Sequence, residues 1–270
     1  MSPSSFLILL SGGIATGTIG ALLGLGGGVF LIPFLVLIFH LPMHQAIATS
    51  IVAVIATSSA GAAMNIERQT VNIRMGMLLE IATVLGEILG GVTANALSNQ
   101  VLTKIFATLL LIVAVIMIRR TRMRQETETL YQDGVLRGSY SDEAKGEAVS
   151  YTVRRVPLLM GISMVAGNIS GLLGIGGGIF KVPAMHIISG VPMKGAAATS
   201  NFMIGVTAAA SAFIYFSYGR LDPVIGSTAA LGVLAGSFLG IKISRKIKSR
   251  ILVWIFAAVL LVVSVELFLR

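Results

Sequence analysis

The sequence predicts an all-α, polytopic membrane protein with about ten helical segments in two inverted-topology repeats. The first observation is composition: 55% of the 270 residues are hydrophobic and 11% are charged, whereas about a quarter of the residues are charged in a soluble domain. The second is a mean hydropathy of +0.92. The third is a second half that repeats the first. At about 20 residues per span, the chain could cross a bilayer roughly ten times.

Apolar segments divide the chain. The first lacks a basic start and runs directly into another apolar stretch, so we interpret it as a membrane span and not as a cleaved signal peptide. The predicted segments are 5–25, 28–40, 43–64, 75–94, 101–118, 156–174, 178–190, 193–214, 223–242 and 250–269.

Most of the positive charge lies outside these segments. The only long polar stretch, 119–155, holds eight of the 20 basic residues and separates a first membrane repeat (1–118) from a second (156–270). We expect this linker to be a solvated loop; a partly helical or a disordered linker is the alternative. The bias of Lys and Arg toward cytoplasmic loops places it in the cytoplasm. Five more basic residues crowd one turn of the second repeat: Lys242, Arg245, Lys246, Lys248 and Arg250. The net charge of +9 thus reports membrane orientation, and no nucleic-acid partner is expected.

A shift of 150 residues superimposes the two halves without a gap. The stretch 22–30 then lies over 172–180, and 48–50 over 198–200. The turn at 92–104 has one basic residue and its copy at 242–250 has five, so the copies face opposite sides of the membrane. This count places both termini outside. Inverted repeats are typical of secondary transporters, which bind their substrate near the midplane.

Each half contains a glycine-rich stretch followed by a short apolar segment. The segments 29–40 and 179–190 would be roughly 18 Å long as helices, too short for a 30 Å hydrocarbon core. Each follows Gly-x-Gly-Gly-Gly and contains a proline, Pro33 or Pro183. We predict a helix break and a short half-helix in each repeat, with free backbone N–H groups that bind an anion. The alternative is that the glycines only allow close helix packing. The candidate residues are Gly26, Gly27, Gly28, Gly176, Gly177 and Gly178.

Hydroxyl and amide side chains follow each half-helix. They hydrogen-bond anionic oxygens without the desolvation cost of a full charge. They could instead bond back to the preceding helical turn, and both interpretations stay open. The candidates are Thr49, Ser50, Thr199, Ser200 and Asn201, the last of which replaces Ile51 of the first half.

Charged residues within apolar segments are the remaining candidates. Lys181 replaces Leu31 of the first half and could add a positive charge to the anion site, reach an interface, or pair with a glutamate. Glu80 and Glu87 are seven residues apart and project from nearly the same helix face. We favour Glu87 as a carrier of a coupling proton; the alternative is a structural pair with Lys181.

Small residues recur at every fourth position of two segments, which predicts close-packed helix faces. They are Ala82, Gly86, Gly90, Gly232, Gly236 and Gly240.

Two further site classes are not expected. His40, His44 and His186 lack ligand spacing, and the chain has no cysteine, so we predict no metal site and no cofactor. Motifs of intramembrane enzymes, such as His-Glu-x-x-His and Gly-x-Ser-x-Gly, are absent, and we do not expect an enzyme.

The two Gly-Leu-Leu-Gly-x-Gly-Gly-Gly-x-Phe-x-x-Pro copies resemble the sulfite exporter TauE/SafE family, also called the toluenesulfonate uptake permeases; in the first copy the motif begins one residue later, at Leu22. The similarity covers almost the whole chain apart from 119–155. It implies a transporter of the cytoplasmic membrane for sulfite, sulfonates or other small organic anions. The differences at Lys181 and Asn201 between the copies leave the substrate open.

The sequence thus favours a secondary transporter that moves a small anion, sulfite or a sulfonate first among them, by alternating access between the repeats. A passive anion channel is one alternative. A membrane sensor or scaffold acting through 119–155 is another. The expected partners are the anion and the lipid bilayer, and a homo-oligomer remains open.

Overall fold

A computed structural model of the chain describes residues 2–23, 27–122, 136–142, 147–244 and 249–269. Ten α-helices form within these residues, which confirms the all-α polytopic class. The first half contains α1 (Pro3–Leu23), α2 (Gly28–Leu37), α3 (Met43–Glu67), α4 (Ile73–Ala96) and α5 (Asn99–Arg122). The second half contains α6 (Val156–Leu173), α7 (Gly178–Pro183), α8 (Met193–Ser217), α9 (Pro223–Ser244) and α10 (Ser249–Leu269).

Seven of the described helices are long and apolar enough to cross a bilayer. Large apolar side chains cover their outer faces. On α4, Met77, Ile81, Leu85 and Leu89 follow one another at four-residue spacing and are each at least half exposed. Such a stripe would be unfavourable in water and suits contact with lipid.

The duplication seen in the sequence extends to the backbone. The helices α2, α3, α4 and α5 begin 150 residues before α7, α8, α9 and α10. Pro42 and Pro192 precede α3 and α8 with nearly identical angles, φ −56° and ψ 145° against φ −54° and ψ 141°. Equivalent prolines therefore start equivalent helices, since a proline restricts its own φ and lacks the N–H that a helix interior requires.

Glycines bring two pairs of helices into backbone contact. The helix α4 packs against α6, and α9 against α1. A Cβ at Gly86 would overlap the Met164 carbonyl oxygen, and one at Gly236 would overlap that of Ile14. These contacts confirm the predicted close packing at the glycines of both faces. The 150-residue shift maps one helix pair onto the other.

The helices α3 and α8 cross at the centre of the bundle. Gly61, near the end of α3, lies against Asn201, near the start of α8. Gly205, further along α8, lies against Ser58 and Ser59, which come earlier in α3. The two helices therefore run antiparallel.

In the second half, the helix break predicted at the glycine-rich stretch lies between α6 and α7. Gly174, Gly176 and Gly177 have positive φ angles of 67°, 80° and 66°, a region that glycine enters without steric cost. The α7 helix then changes at Pro183 into a π-helical turn, Ala184–Ile188, so the half-helix is not uniformly α-helical. Proline permits such a change, because its ring clashes with the carbonyl four residues earlier, but does not require it, since the equivalent Pro33 lies within the uninterrupted helix α2. In the first half α1 ends at Leu23 and α2 begins at Gly28, and the predicted site residue Gly26 lies outside the described residues.

The linker differs from the expected loop. It contains an antiparallel β-hairpin, β1 (Leu136–Asp142) and β2 (Glu147–Val153). Tyr151 and Val153 are buried against a cluster that includes Met75, Leu79 and Leu159. Alternating apolar residues in β2 make this burial possible, because successive strand residues face opposite sides. Several basic residues of the orientation argument lie outside the described residues: Arg124, Lys145, Arg245, Lys246 and Lys248.

The hairpin marks one end of the bundle. Gly138 of β1 lies against Asn72, the residue before α4, and Tyr151 lies against Gly195 in the first turn of α8. The end of α3, which a short turn joins to α4, lies at the same end. We call this the linker end.

Candidate anion-binding cavity and a buried charge cluster

A cavity of about 390 Å³ lies between α3 and α8, with further walls from α1, α7 and α9. Two basic side chains, Arg68 and Lys194, line it at the linker end. Because both are exposed, this is the open side of the cavity. Its deeper polar lining comes from Thr57, Ser58, Asn65, Ser200, Asn201 and Ser237. None of the described lining residues is acidic, and Arg68 and Lys194 are basic. The hydroxyls of Thr57, Ser58 and Ser237 donate to carbonyl oxygens of their own helices at 2.6 to 3.0 Å. The neutral side chains that remain as donors to a ligand are therefore the Ser200 hydroxyl and the amides of Asn65 and Asn201.

Four of the predicted site residues line this cavity: Gly27, Gly178, Ser200 and Asn201. Ser200 is 1% exposed, and its hydroxyl oxygen has no hydrogen-bond partner within the described part of the chain. Buried hydroxyls are almost always hydrogen-bonded, so an unsatisfied one on a cavity wall is suited to a ligand.

Other predicted residues hold helices together. The Ser50 hydroxyl donates to the Gly174 carbonyl oxygen at 2.9 Å, and Gly28 packs against that hydroxyl. The Thr199 hydroxyl accepts a hydrogen bond from the backbone N–H of Asn72 at 3.0 Å, which fixes the start of α4. Three more predicted residues lie outside the cavity lining: Thr49, which is buried in α3, and Gly176 and Gly177, which form the break before α7.

Lys181 and Glu87 lie in a separate charge cluster. Lys181, Glu87 and Glu80 are 1%, 1% and 6% exposed. The hydroxyls of Ser211 and Ser170 donate to Glu87 Oε1 at 2.9 and 3.2 Å. Lys181 Nζ donates to Thr207 Oγ1 at 3.5 Å. Its side chain and that of Ser170, which donates to Glu87, lie together beside Gly177, so its charge is close to the carboxylates although it forms no direct ion pair with these described side chains. The structure therefore places Lys181 beside the carboxylates and not on the cavity wall.

The cavity and the charge cluster occupy equivalent positions in the two halves. Residues of the cluster lie 150 positions from residues of the cavity wall: Glu87 and Ser237, Tyr215 and Asn65, Ser170 and Gly20, Ser211 and Gly61, and Thr207 and Thr57. Small residues leave an open space in one half, and larger polar side chains fill the same space in the other.

Sequence reasoning missed the basic residues of the cavity. Arg68 follows α3, and Lys194 lies in the first turn of α8. Their position at the ends of the two helices that carry the Ala-Thr-Ser motifs could have identified them as neighbours of the site. It also missed Ser170 and Ser211, which only tertiary packing brings to Glu87.

The family model for the sulfite exporter TauE/SafE matches residues 9–267. The chain belongs to the sulfite exporter TauE/SafE family. Like the family as a whole, it is a multi-pass membrane transporter. The relative YunE of Bacillus subtilis, a probable membrane transporter protein, is 27% identical over 270 residues and 97% of each chain.

Two further relatives share the same description. A probable membrane transporter protein of Haemophilus influenzae is 30% identical over 209 residues, covering 76% of this chain and 69% of the relative. One from Methanocaldococcus jannaschii, MJ0441, is 25% identical over 258 residues, 90% of this chain and 88% of its own length. No solved structure matches the chain at significant similarity.

Proposed function

We propose that this TauE/SafE protein is a secondary transporter of a small anion, which binds in the cavity between α3 and α8. The observation that carries the proposal is the composition of the cavity wall. Arg68 and Lys194 stand at its open side, hydroxyl and amide groups line its depth, and none of its described lining residues is acidic. An anion would be attracted by the basic pair and held by the Ser200 hydroxyl and the Asn201 amide, because the other hydroxyls of the wall already donate to backbone carbonyl oxygens.

The cavity size limits the substrate class. Its volume of about 390 Å³ corresponds to roughly a dozen water molecules at about 30 Å³ each. A tetrahedral or pyramidal oxyanion fits there with part of its hydration shell. The family name supports an oxidised sulfur compound, and we propose sulfite or a sulfonate as the substrate.

The repeats supply a route for alternating access. We propose that the halves are inverted copies in the cytoplasmic membrane, with the linker in the cytoplasm and both termini outside. The antiparallel crossing of α3 and its copy α8 supports this. In this arrangement the cavity faces the cytoplasm, and its equivalent in the other half is closed by buried Tyr215. If the open cavity closed and its equivalent in the other half opened, the anion would be released on the opposite side of the membrane.

Within this site we assign roles to the predicted residues. Ser200, Asn201 and the backbone of Gly27 and Gly178 contact the anion. Gly176 and Gly177 form the break before α7, Gly28 gives Ser50 room to approach, and a role for Gly26 in anion binding stays a prediction. Thr49, Ser50 and Thr199 fix α3 and α8 around the cavity.

Counterflow in proteoliposomes tests the proposal. Vesicles loaded with unlabelled sulfite should take up labelled sulfite transiently, with saturation, whereas vesicles without protein should not. A thermal-shift series with sulfite, thiosulfate, sulfoacetate and taurine against acetate would rank the ligands, because a ligand stabilises the state that it binds. Absence of both stabilisation and counterflow for every anion would refute the proposal. Flux that rises without saturation would favour a channel.

A further inference from the structure

We infer that Glu87 and Glu80, with Lys181 as their fixed counter-charge, form a proton site whose occupancy is coupled to the anion in the cavity, so that proton and anion cross together. This inference rests on the proposed function and adds the coupling ion.

The first step is the charge balance of the cluster. Two carboxylates face one ammonium group, so the fully ionised cluster has one uncompensated negative charge. All three side chains are at least nine-tenths buried. An unpaired buried carboxylate is costly, and protonation removes that cost. The cluster therefore has room for one exchangeable proton.

The second step is the pattern of hydrogen bonds. Oε1 of Glu87 accepts bonds from Ser211 and Ser170. Its Oε2 and both carboxylate oxygens of Glu80 are buried and have no hydrogen-bond partner among the described residues. Such oxygens are suited to bind a proton, because protonation of any one of them neutralises its carboxylate.

The third step excludes other titratable groups around Glu87. The helix α4 packs against α6 and α8. The α6 sequence has no titratable side chain. From α8, Tyr215 lies nearby: its hydroxyl donates to the carbonyl oxygen of Gly171 at 3.1 Å, and Gly171 packs against the backbone of Glu87. Lys181 comes from α7. Among the groups that the described helices bring to Glu87, the exchangeable proton therefore belongs to the two glutamates.

The filled space distinguishes a proton from a metal cation. The cluster occupies the same place as the cavity, but Tyr215, Ser170 and Ser211 stand where the cavity wall has Asn65, Gly20 and Gly61. These larger side chains are fully buried. A sodium ion would need several oxygen ligands arranged around it, whereas a proton needs only one carboxylate oxygen.

The fourth step connects the cluster to the cavity. Gly178 lines the cavity and begins α7, whose next turn carries Lys181. The helix α8 presents Ser200 to the cavity and Thr207 to the cluster. An anion in the cavity places a negative charge on the other side of α7 and α8 from the cluster. This charge repels the net negative charge of the ionised cluster and therefore favours its protonated, neutral form. Since such coupling is reciprocal, protonation favours anion binding, which is the requirement for movement in the same direction.

Proteoliposomes with an imposed pH gradient test the inference. For a monovalent anion at zero membrane potential, one coupled proton lets a gradient of about one pH unit support about tenfold accumulation. Wild-type vesicles with an alkaline interior should therefore accumulate methanesulfonate, a sulfonate that stays monovalent at every pH used, and a pH dye trapped inside should report proton entry with the anion. Counterflow measures whether a variant still transports the anion, and accumulation under the pH gradient measures whether transport is coupled to protons. In Glu87→Gln the accumulation, divided by the counterflow of the same vesicles, should fall about tenfold, to the level seen without a gradient.

The control variant is Glu67→Gln, which removes an exposed glutamate at the end of α3 and should match the wild type in both assays. Three results would overturn the inference: wild-type accumulation that follows a sodium gradient, anion flux without proton movement in the wild type, or a normal accumulation ratio in both Glu87→Gln and Glu80→Gln. Because the dye measurement on the wild type reports proton movement directly, it tests proton coupling even where a variant does not fold. Absence of wild-type counterflow would instead refute the proposed function itself.

Discussion

The amide nitrogen of Asn201 lies directly against the Cα of Gly61, at the point where α3 and α8 cross beside the cavity. A Cβ at Gly61 would occupy the position of that nitrogen. Since the obstacle is the end of a flexible side chain, Gly61→Ala should displace Asn201 and leave the helix crossing intact. We expect anion affinity to fall about tenfold, as for loss of one hydrogen bond to a charged group, with little change in melting temperature. Ligand-induced thermal shifts measure both quantities.

The same substitution should act differently where a glycine faces backbone. In Gly236→Ala the new methyl group would meet the Ile14 carbonyl oxygen, which cannot move without separating α9 from α1. We expect destabilisation of about 1–3 kcal/mol from overpacking, read from melting of the purified protein in detergent. Gly161→Ala is the control, because no atom lies within 4 Å of its Cβ position. It should stabilise α6 by up to about 1 kcal/mol. Equal melting temperatures for the two variants would contradict the packing argument.

Local sequence features specified most of the fold. Helix starts coincide with prolines, and Pro42 and Pro192 begin α3 and α8 in both copies. Such signals act within a few residues, so they can be recognised without the tertiary structure. The β-hairpin of the linker was missed because its burial depends on Gly195 and Asn72, which lie far away in the sequence or on another element.

The site was less predictable, because identical motifs have different surroundings. Ser50 and Ser200 occupy the same place in two Ala-Thr-Ser copies. Ser50 bonds to the Gly174 carbonyl oxygen, whereas the Ser200 hydroxyl lacks a partner among the described residues and lines the cavity. The difference arises from the packing of the opposite half, and no pattern within either motif records it.

That difference makes the two serines a matched pair. Ser200→Ala removes a donor from the cavity wall and no hydrogen bond within the described protein, so its melting temperature should stay near the wild-type value while anion affinity falls about tenfold. Ser50→Ala removes the bond to Gly174 and should destabilise the protein by about 1 kcal/mol with affinity nearly unchanged. Isothermal titration and thermal melting of both variants check this. The assignment of the cavity fails if the affinity loss belongs to Ser50→Ala.

Charge at the mouth of the cavity should act at longer range. Arg68→Gln removes one positive charge from the open side, and we expect a several-fold rise in the KM of anion uptake at low salt. The effect should shrink at about 0.5 M inert salt, where the screening length is only a few ångströms. Arg74→Gln is the control, since Arg74 is also exposed near the linker end but does not line the cavity. A similar rise in both variants would indicate a general surface potential and not a role of the cavity mouth.

Tyr151 should control the docking of the linker hairpin. It is 4% exposed and contacts Gly195 at the start of α8. In Tyr151→Ala the hairpin loses a large buried side chain, at a cost of about 3 kcal/mol, and subtilisin should cleave the linker faster while the helices stay intact. Tyr151→Phe keeps the ring and should resist cleavage at neutral pH. Unchanged cleavage of Tyr151→Ala would mean that other contacts hold the hairpin.

The same side chain predicts a pH dependence of docking. Burial raises the pKa of Tyr151 above its ordinary value of 10.0. The docked state therefore prefers the neutral phenol, so docking is fully stable below about pH 10 and weakens as the pH rises above the pKa of the exposed phenol. Subtilisin, which remains active in alkali, should cleave the wild-type linker faster at about pH 11 than at about pH 8, beyond its own change in activity. Tyr151→Phe cannot ionise and gives that baseline, so an equal increase in both proteins would remove Tyr151 as the cause.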